Sequence, residues 1–304
     1  MDLSICVVSW NVEHDLANCI ESLREGAAGI DSETLLVDNA SSDGTAQMVR
    51  DRFPAVHLIA NSENLGFAAA NVQAMQMARG RYVLLLNPDT LVPPHALGEL
   101  IQFADAHPHA GIIGPKLVYG DGSLQHSCRS FPTIAAALFR NTFLGRIFPK
   151  ADASATYLMQ DWAHDTVAEV DWVSGACMLV RREAFEQLGQ LDTGFWWGAE
   201  DVDYCWRAHK AGWKVLYTPT PVITHLVGRS TDQAVLATVV RHHRGMYRLY
   251  SKHVARNPLS RCLVWLGVWL RAGAFIAQHF ARTAMVKCHI MPKRRHPGQA
   301  ERPQ

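Results

Sequence analysis

Through its first 230 residues the chain alternates short apolar runs with amphipathic stretches. Leu3–Trp10, Thr34–Asp38, Val56–Ala60 and Tyr82–Leu86 show little or no polar face, as strands do when a parallel sheet is covered on both sides. Between them, Glu13–Arg24 sets Leu16, Ile20 and Leu23 on one side of a helix. Thr45–Arg52 and the small-residue segment Phe67–Ala78 predict two more helices. A helix over Pro93–His107 and a strand over Gly111–Tyr119 follow, with Gly120-Asp121-Gly122 as a hairpin tip. Residues 132–165 have no clear period and read as a mobile or substrate-shaped loop. The pattern resumes with a strand region Val167–Val180, helices Arg181–Leu188 and Glu200–Ala211, and strands Lys214–Thr218 and Val222–His225. Strands alternating with helices in this way predict an α/β fold built from βαβ units around a mainly parallel sheet.

The points where the runs stop carry the candidate chemistry. Asn87-Pro88-Asp89 follows Tyr82–Leu86 directly, and a proline cannot donate to a ladder, so the strand ends there. That leaves a carboxylate at the carboxyl edge of the sheet, where open α/β folds bind ligands. Asp38, Asp43 and His225 also stand at or just beyond strand ends. Singly, Asp38 and Asp43 are turn or cap residues. Asp89 with His225 suits a divalent cation without specifying one.

Glu200-Asp201-Val202-Asp203 opens a helix, where acids also satisfy the dipole. The aromatic, glycine-rich run Gly194–Ala199 before it would desolvate a carboxylate and raise its basicity, as a general base needs. Asp171–Ala176 offers either an aromatic platform for a sugar ring or a buried strand. Asn64–Asn71 is neither a G-x-G-x-x-G turn nor a Walker loop, which removes the usual support for hydride transfer and P-loop chemistry.

The composition, 48% hydrophobic and 19% charged, is that of an ordinary globular chain. Its net charge of +1 conceals an asymmetry. Residues 241–304 hold 13 Lys and Arg against one acid, Glu301. Such a basic end points to an anionic partner; no nucleic-acid recognition module accompanies it, so nucleic acid is not expected. Seven cysteines without a C-x-x-C pair suggest a reducing, cytosolic compartment. Met1-Asp2-Leu3 leads straight into a strand-like run with no basic segment, so no signal peptide is expected.

From about Asp232 the pattern is helical. The nine-residue apolar run Cys262–Leu270 falls short of the roughly 20 residues that span a bilayer. On a helical wheel Arg271, Gln278, Arg282 and His289 share a face, with Arg261 and His279 at its edge. That pattern, with Trp on the apolar side, suits a helix lying in a membrane interface, and Lys293-Arg294-Arg295 would add attraction to anionic lipid. A helix packed on the catalytic domain or on a dimer partner gives the same pattern.

Five motifs occur in order: Val37-Asp-Asn-Ala-Ser-Ser-Asp-Gly-Thr45, Asn64-Leu-Gly-Phe-Ala-Ala-Ala-Asn71, Asn87-Pro-Asp-Thr90, Trp172-Val-Ser-Gly-Ala-Cys177 and Glu200-Asp-Val-Asp203. Together they resemble the family 2 glycosyltransferases, in particular the bacterial rhamnosyltransferase-like enzymes of cell-surface polysaccharide synthesis. The resemblance covers roughly residues 3 to 230 and leaves the C-terminal helices outside it. It implies a GT-A fold over 1–230, with a nucleotide-sugar half to about 120 and an acceptor half to about 230. A helical, basic region, 231–304, suited to membrane association, would follow.

By position the resemblance makes Asp38 a contact to the donor's base, with Ser9 and Asn11 nearby. Asp43, Asn64, Gly66, Phe67, Asn71 and Asn87 would support nucleotide and sugar. Asp89 matches the last acid of the family's D-x-D metal motif and His225 a histidine that completes the site, for Mg2+ or Mn2+. Asp201 matches the general base. Trp172, Gly175, Trp196, Trp197 and Glu200 would face sugar or acceptor. Two departures stand out: Asn87 replaces the first Asp of D-x-D, and Trp196-Trp197-Gly198 replaces an aromatic–Met–Tyr pattern.

The implied activity is inverting, metal-dependent transfer of a sugar from a nucleotide-diphosphate donor to a hydroxyl of a cell-surface glycan or lipid-linked acceptor. L-Rhamnose from dTDP-rhamnose is the expected donor, with hexosyl, N-acetylhexosaminyl or galactofuranosyl donors as alternatives. The implied location is cytoplasmic, peripheral on the inner face of the cell membrane through residues 261–295. A sugar-phosphate nucleotidyltransferase would want a glycine-rich basic loop after the first strand, which Ser9–Glu13 does not supply. A non-catalytic nucleotide-sugar binding module is the remaining rival.

Overall fold

The computed structural model describes residues 1–133, 154–226, 235–255 and 257–287. Most of the 132–165 segment, the side chain of Arg282, His289 and the Lys293–Arg295 cluster lie outside these residues. The elements in order are β1 (Leu3–Ser9), α1 (Glu13–Gly26), β2 (Ser32–Asp38), α2 (Thr45–Arg52), β3 (His57–Ala60), α3 (Phe67–Met77), β4 (Tyr82–Leu86) and β5 (Thr90–Leu91). Then come α4 (Ala96–Ala106), β6 (Ala110–Val118), β7 (Leu124–Gln125), β8 (Cys128–Arg129), α5 (Ser154–Leu158), β9 (Ala168–Glu169), β10 (Trp172–Val173) and β11 (Cys177–Arg181). The chain continues through α6 (Arg182–Leu188), α7 (Glu200–Lys210), β12 (Lys214–His225), α8 (Val235–His253) and α9 (Pro258–Lys287).

The main sheet runs β3-β2-β1-β4-β11-β6-β12-β5. β3, β2, β1 and β4 are mutually parallel, as are β6 and β12. β11 lies antiparallel between β4 and β6, so one sheet joins early and late parts of the chain. The apolar strands still alternate. Cys6, Val8, Val83 and Leu85 enter a core shared with α3 and α7, whereas Ile5, Val7, Leu84 and Leu86 enter a second core under α1 and α4. A strand with apolar residues on both faces needs helices on both, and that gives the three-layer α/β/α arrangement.

Several elements differ from the sequence expectation for local reasons. α4 starts only at Ala96, after Pro93, Pro94 and His95, whose φ of 61° is left-handed. The Val167–Val180 region divides into β9, β10 and β11, because Asp171 turns aside to accept the Phe131 N–H (2.6 Å) and Ser174 begins a turn. The two strands expected over 214–225 are one strand, with a break in register between Thr218 and Val222.

α9 shows the largest difference. The apolar segment is longer than the nine-residue run: Pro258–Ala281 is long and apolar enough, by length and composition alone, to cross a membrane. Its faces are also reversed relative to a helix resting on a soluble core. Leu259, Leu263, Leu266 and Leu270, spaced to form one stripe, are 48–70% exposed. Arg271, expected on a solvated face, instead turns inward beside His243.

Candidate functional site

The register puts the carboxyl ends of β1, β2 and β4 at one edge, Ser9 opposite Asp38 and Val7 opposite Leu86. β11 runs the other way, so its entry, Gly175–Ala176, reaches the same edge. β12 ends there too, with His225 opposite Thr90.

At the first two strand ends the side chains brace loops. Buried Asp38 accepts from Ser9 Oγ (3.2 Å), from the Ser41 N–H (3.1 Å) and from the Ser41 hydroxyl. Asn11 closes the same loop: its N–H donates to Ser41 Oγ (2.9 Å) and its Oδ1 accepts the Ser42 N–H (2.7 Å). Asp43 holds the start of α2 by accepting from the Thr45 N–H and hydroxyl and from the Glu13 N–H. Asn11 and Asp43 line a cavity of about 470 Å³ beside His14 and Arg52, separate from the larger one described below.

Asn39, next to Asp38, ties the second loop down. Its Nδ2 donates to Asn64 Oδ1 (3.0 Å) and the Gly66 carbonyl (3.3 Å), and its Oδ1 accepts the Leu65 N–H (3.0 Å). Sequence reasoning missed this hub, whose only signal is an asparagine flanking a strand-ending acid with Asn61 and Asn64 downstream. Gly66 has φ +87°, and a Cβ there would lie 2.5 Å from the Trp196 carbonyl oxygen. The Phe67 N–H donates to that same carbonyl (2.7 Å), which joins the Asn64–Asn71 segment to the Trp196 loop. Asn71 is buried and donates to the Phe67 carbonyl of its own helix (3.0 Å).

The larger cavity, about 660 Å³, collects eight of the expected residues: Phe67, Asn87, Trp172, Gly175, Trp197, Glu200, Asp201 and His225. Asp89 adjoins it, its Oδ1 3.2 Å from His225 Nε2. Ser9, Asp38, Asn64, Gly66, Asn71 and Trp196 do not line it.

The Asp89–His225 pair fits a cation. Gln125 Oε1 lies 2.9 Å from His225 Nδ1, so the Nδ1–H donates there and Nε2 keeps its lone pair. Nε2 then faces Asp89 Oδ1 and Asn87 Nδ2 (3.1 Å). Asn87 Oδ1 is buried without a hydrogen-bond partner. Two lone-pair donors facing each other beside an unsatisfied amide oxygen make a sparse oxygen-and-nitrogen set, and Mg2+ commonly takes one or two protein ligands and completes its shell with phosphate and water. No cluster of three or more His, Cys, Asp or Glu exists among the described residues.

Asp201 sits in the first turn of α7, where the helix dipole favours an anion. Its Oδ2 accepts the Gly175 N–H (3.1 Å) and its Oδ1 the Val202 N–H (2.8 Å). Burial raises its pKa above the ordinary carboxylate value, and those two N–H groups and nearby Arg129 offset only part of the rise. Glu200 is buried, and its Oε2 has no partner. Burial, then the charge of Asp201, pushes its carboxyl up to about 8. The two acids thus divide: Asp201 has the donors that stabilise a carboxylate, and Glu200 is the one kept protonated near neutrality.

The cavity walls are aromatic and basic. Trp172 donates its indole N–H to the Ser130 carbonyl (2.9 Å) and carries the Arg129 guanidinium over its ring. Trp197 meets His242 of α8 edge to face, and Arg241 stacks 3.4 Å over Trp196. α8 comes this close because of Gly245, where a Cβ would lie 2.4 Å from the Gly198 carbonyl oxygen. His243 and Tyr250 of α8 with Arg271 and Phe275 of α9 complete the wall. Sequence reasoning missed Gln125, Arg129 and these C-terminal residues.

With this geometry in hand, known proteins give a consistent picture. Residues 4–189 match the model of Glycosyl transferase family 2. An N-acetylglucosaminyl-diphospho-decaprenol L-rhamnosyltransferase of Mycobacterium tuberculosis is 33% identical over 224 residues, 70% of this chain and 72% of the relative. The low-salt glycan biosynthesis hexosyltransferase Agl10 of Haloferax volcanii is 26% identical over 69% of this chain and 62% of its own. Among solved structures, a mannosyltransferase of Pyrobaculum calidifontis, in complex with GDP-Man and Mn2+, superposes with a TM-score of 0.56 at 19% identity, covering 93% of this chain and 80% of that one. The fold is GT-A. The chain belongs to glycosyl transferase family 2 and is a rhamnosyltransferase-like glycosyltransferase.

Proposed function

We propose that the protein is an inverting, metal-dependent glycosyltransferase that moves L-rhamnose from dTDP-rhamnose to a hydroxyl of a lipid-linked or cell-surface glycan acceptor. The observation that carries this is Asp201: a half-buried carboxylate, held by two N–H donors, in the same cavity as Asn87 and His225. Asp201 accepts the proton of the acceptor hydroxyl as that oxygen attacks the anomeric carbon from the face opposite the departing diphosphate. One displacement inverts the configuration. The Gly175 and Val202 N–H groups hold the carboxylate in place, and the aromatic walls exclude water from it. Asp89 and His225, with the donor diphosphate, would hold Mg2+ or Mn2+, a Lewis acid that would neutralise charge on the departing diphosphate. Asp38 with Ser9 and Asn11, and the braced Asn64–Asn71 segment, form the nucleotide side.

The outward leucine stripe of α9 and the basic end of the chain support peripheral attachment to an anionic membrane on its cytoplasmic side. Likeness to the Haloferax hexosyltransferase favours hexosyl donors as the second reading. A panel of nucleotide sugars, with membrane extract as acceptor, decides between them. Nucleoside diphosphate release from dTDP-rhamnose above all others, abolished by chelator and restored by Mg2+ or Mn2+, is the expected result. No release from any donor would overturn the reading.

A further inference from the structure

The acceptor end of the cavity has a feature that sugar binding does not need. Its acids, Glu200 and Asp201, stand together at the start of α7. Its cations come from elements outside the motif-bearing strands: Arg129 at the end of β8 and Arg271 on α9, the latter beside His243 of α8. Arg129 lies over the rings of Tyr157 and Trp172, 5.7 and 5.1 Å from their centroids. Its charge offsets part of the rise that burial imposes on the Asp201 pKa. Arg271 places Nη1 3.2 Å from His243 Nε2. Tyr250, which also lines the cavity, anchors α8 by donating to the Thr133 carbonyl (2.9 Å).

The helix that supplies Arg271 carries the exposed stripe Leu259, Leu263, Leu266 and Leu270, roughly a third of a turn away around its axis. A helix lying with that stripe in the acyl boundary would hold Arg271 at headgroup depth, on the flank that opens into the cavity.

We infer that Arg271, oriented by His243, and Arg129 form a subsite for the diphosphate of a prenyl-diphosphate-linked acceptor, whose hydrocarbon chain leaves along the leucine stripe of α9. This rests on the glycosyltransferase reading above. A sugar joined to a prenyl diphosphate has its reacting hydroxyl and its phosphates on one ring, so both must fall within one cavity. Asp201 and Arg129 meet that requirement. Guanidinium groups bind phosphate by paired, charge-assisted hydrogen bonds. A ligand that needs such cations together with a continuous apolar surface is a lipid diphosphate rather than a second nucleotide.

The test measures binding of the full-length protein to phosphatidylcholine vesicles, plain or doped with geranylgeranyl diphosphate, geranylgeraniol or phosphatidylglycerol. Doping with the diphosphate is expected to tighten binding about tenfold or more, and doping with the alcohol is not. Arg271→Gln and Arg129→Gln should each remove most of that gain, with thermal unfolding confirming that each variant folds. An equal gain from phosphatidylglycerol, an equal affinity for inorganic diphosphate alone, or full retention in both folded variants would overturn the subsite. Should neither variant fold, the wild-type preference for the diphosphate over the alcohol and over phosphatidylglycerol still decides. Nucleoside diphosphate binding by the wild-type chain, measured separately, distinguishes failure of this subsite from failure of the glycosyltransferase reading.

Discussion

Glu200→Gln removes an ionisable group and keeps its shape, so it isolates the energetic cost of a buried acid beside Asp201. In the folded chain burial and the Asp201 charge hold Glu200 up to about 8; in the unfolded chain it titrates near the ordinary value of 4.5. The folded state therefore binds the proton more tightly. Stability linked to Glu200 is fully present below about 4.5 and is lost as pH rises toward about 8. At pH 7 the unfolded chain has gained from ionisation while the folded chain has not, a difference of about 3 kcal/mol. The glutamine variant escapes that loss, so it should be about 3 kcal/mol more stable than wild type at pH 7 and equal to it near pH 4. For a chain of 304 residues the gain at pH 7 corresponds to roughly 5 °C in Tm. Thermal unfolding of both proteins from pH 4 to 8.5 measures it. A stability difference that does not vary with pH would refute the reasoning.

Two further substitutions probe the frame that holds the site. Gly66→Ala forces a side chain into a backbone region essentially reserved for glycine and drives its Cβ against the Trp196 carbonyl; a loss of about 2–4 kcal/mol and weaker nucleotide binding by calorimetry are expected. Asp203→Ala leaves Arg207, Lys252 and His253 without the buried carboxylate that they share. Lys252 keeps Asp192, and Arg207 keeps the Leu188 and Gln190 carbonyls, so the cost should fall at the low end for a broken buried pair, about 3 kcal/mol, seen as a lowered Tm.

The parallel part of the sheet was legible because each strand is an apolar run closed by a turn residue, and β4 and α2 have the bounds the pattern predicts. β11 was not: its antiparallel insertion between β4 and β6 depends on long-range pairing that no local period encodes. The candidate site was legible where a side chain sits at a strand or helix end, as Asn87, Asp89, Asp201 and His225 do. It was hidden where partners come from distant segments. Gln125 orients His225 across 100 positions in sequence, and Arg129 reaches Trp172 from a two-residue strand. Arg271 misled in another way. A helical wheel shows which residues share a face but not which face meets the protein, and α9 turns its leucines outward.

The central claim is that Asp201 takes the acceptor's proton. Its direct test is the rate of nucleoside diphosphate release from the preferred donor, in the presence of acceptor, by Asp201→Asn. The variant keeps the side chain's size and one acceptor oxygen, so donor affinity should match wild type, while turnover should fall about 10²–10⁴-fold. Turnover at the wild-type rate in a variant that binds donor normally would contradict the account.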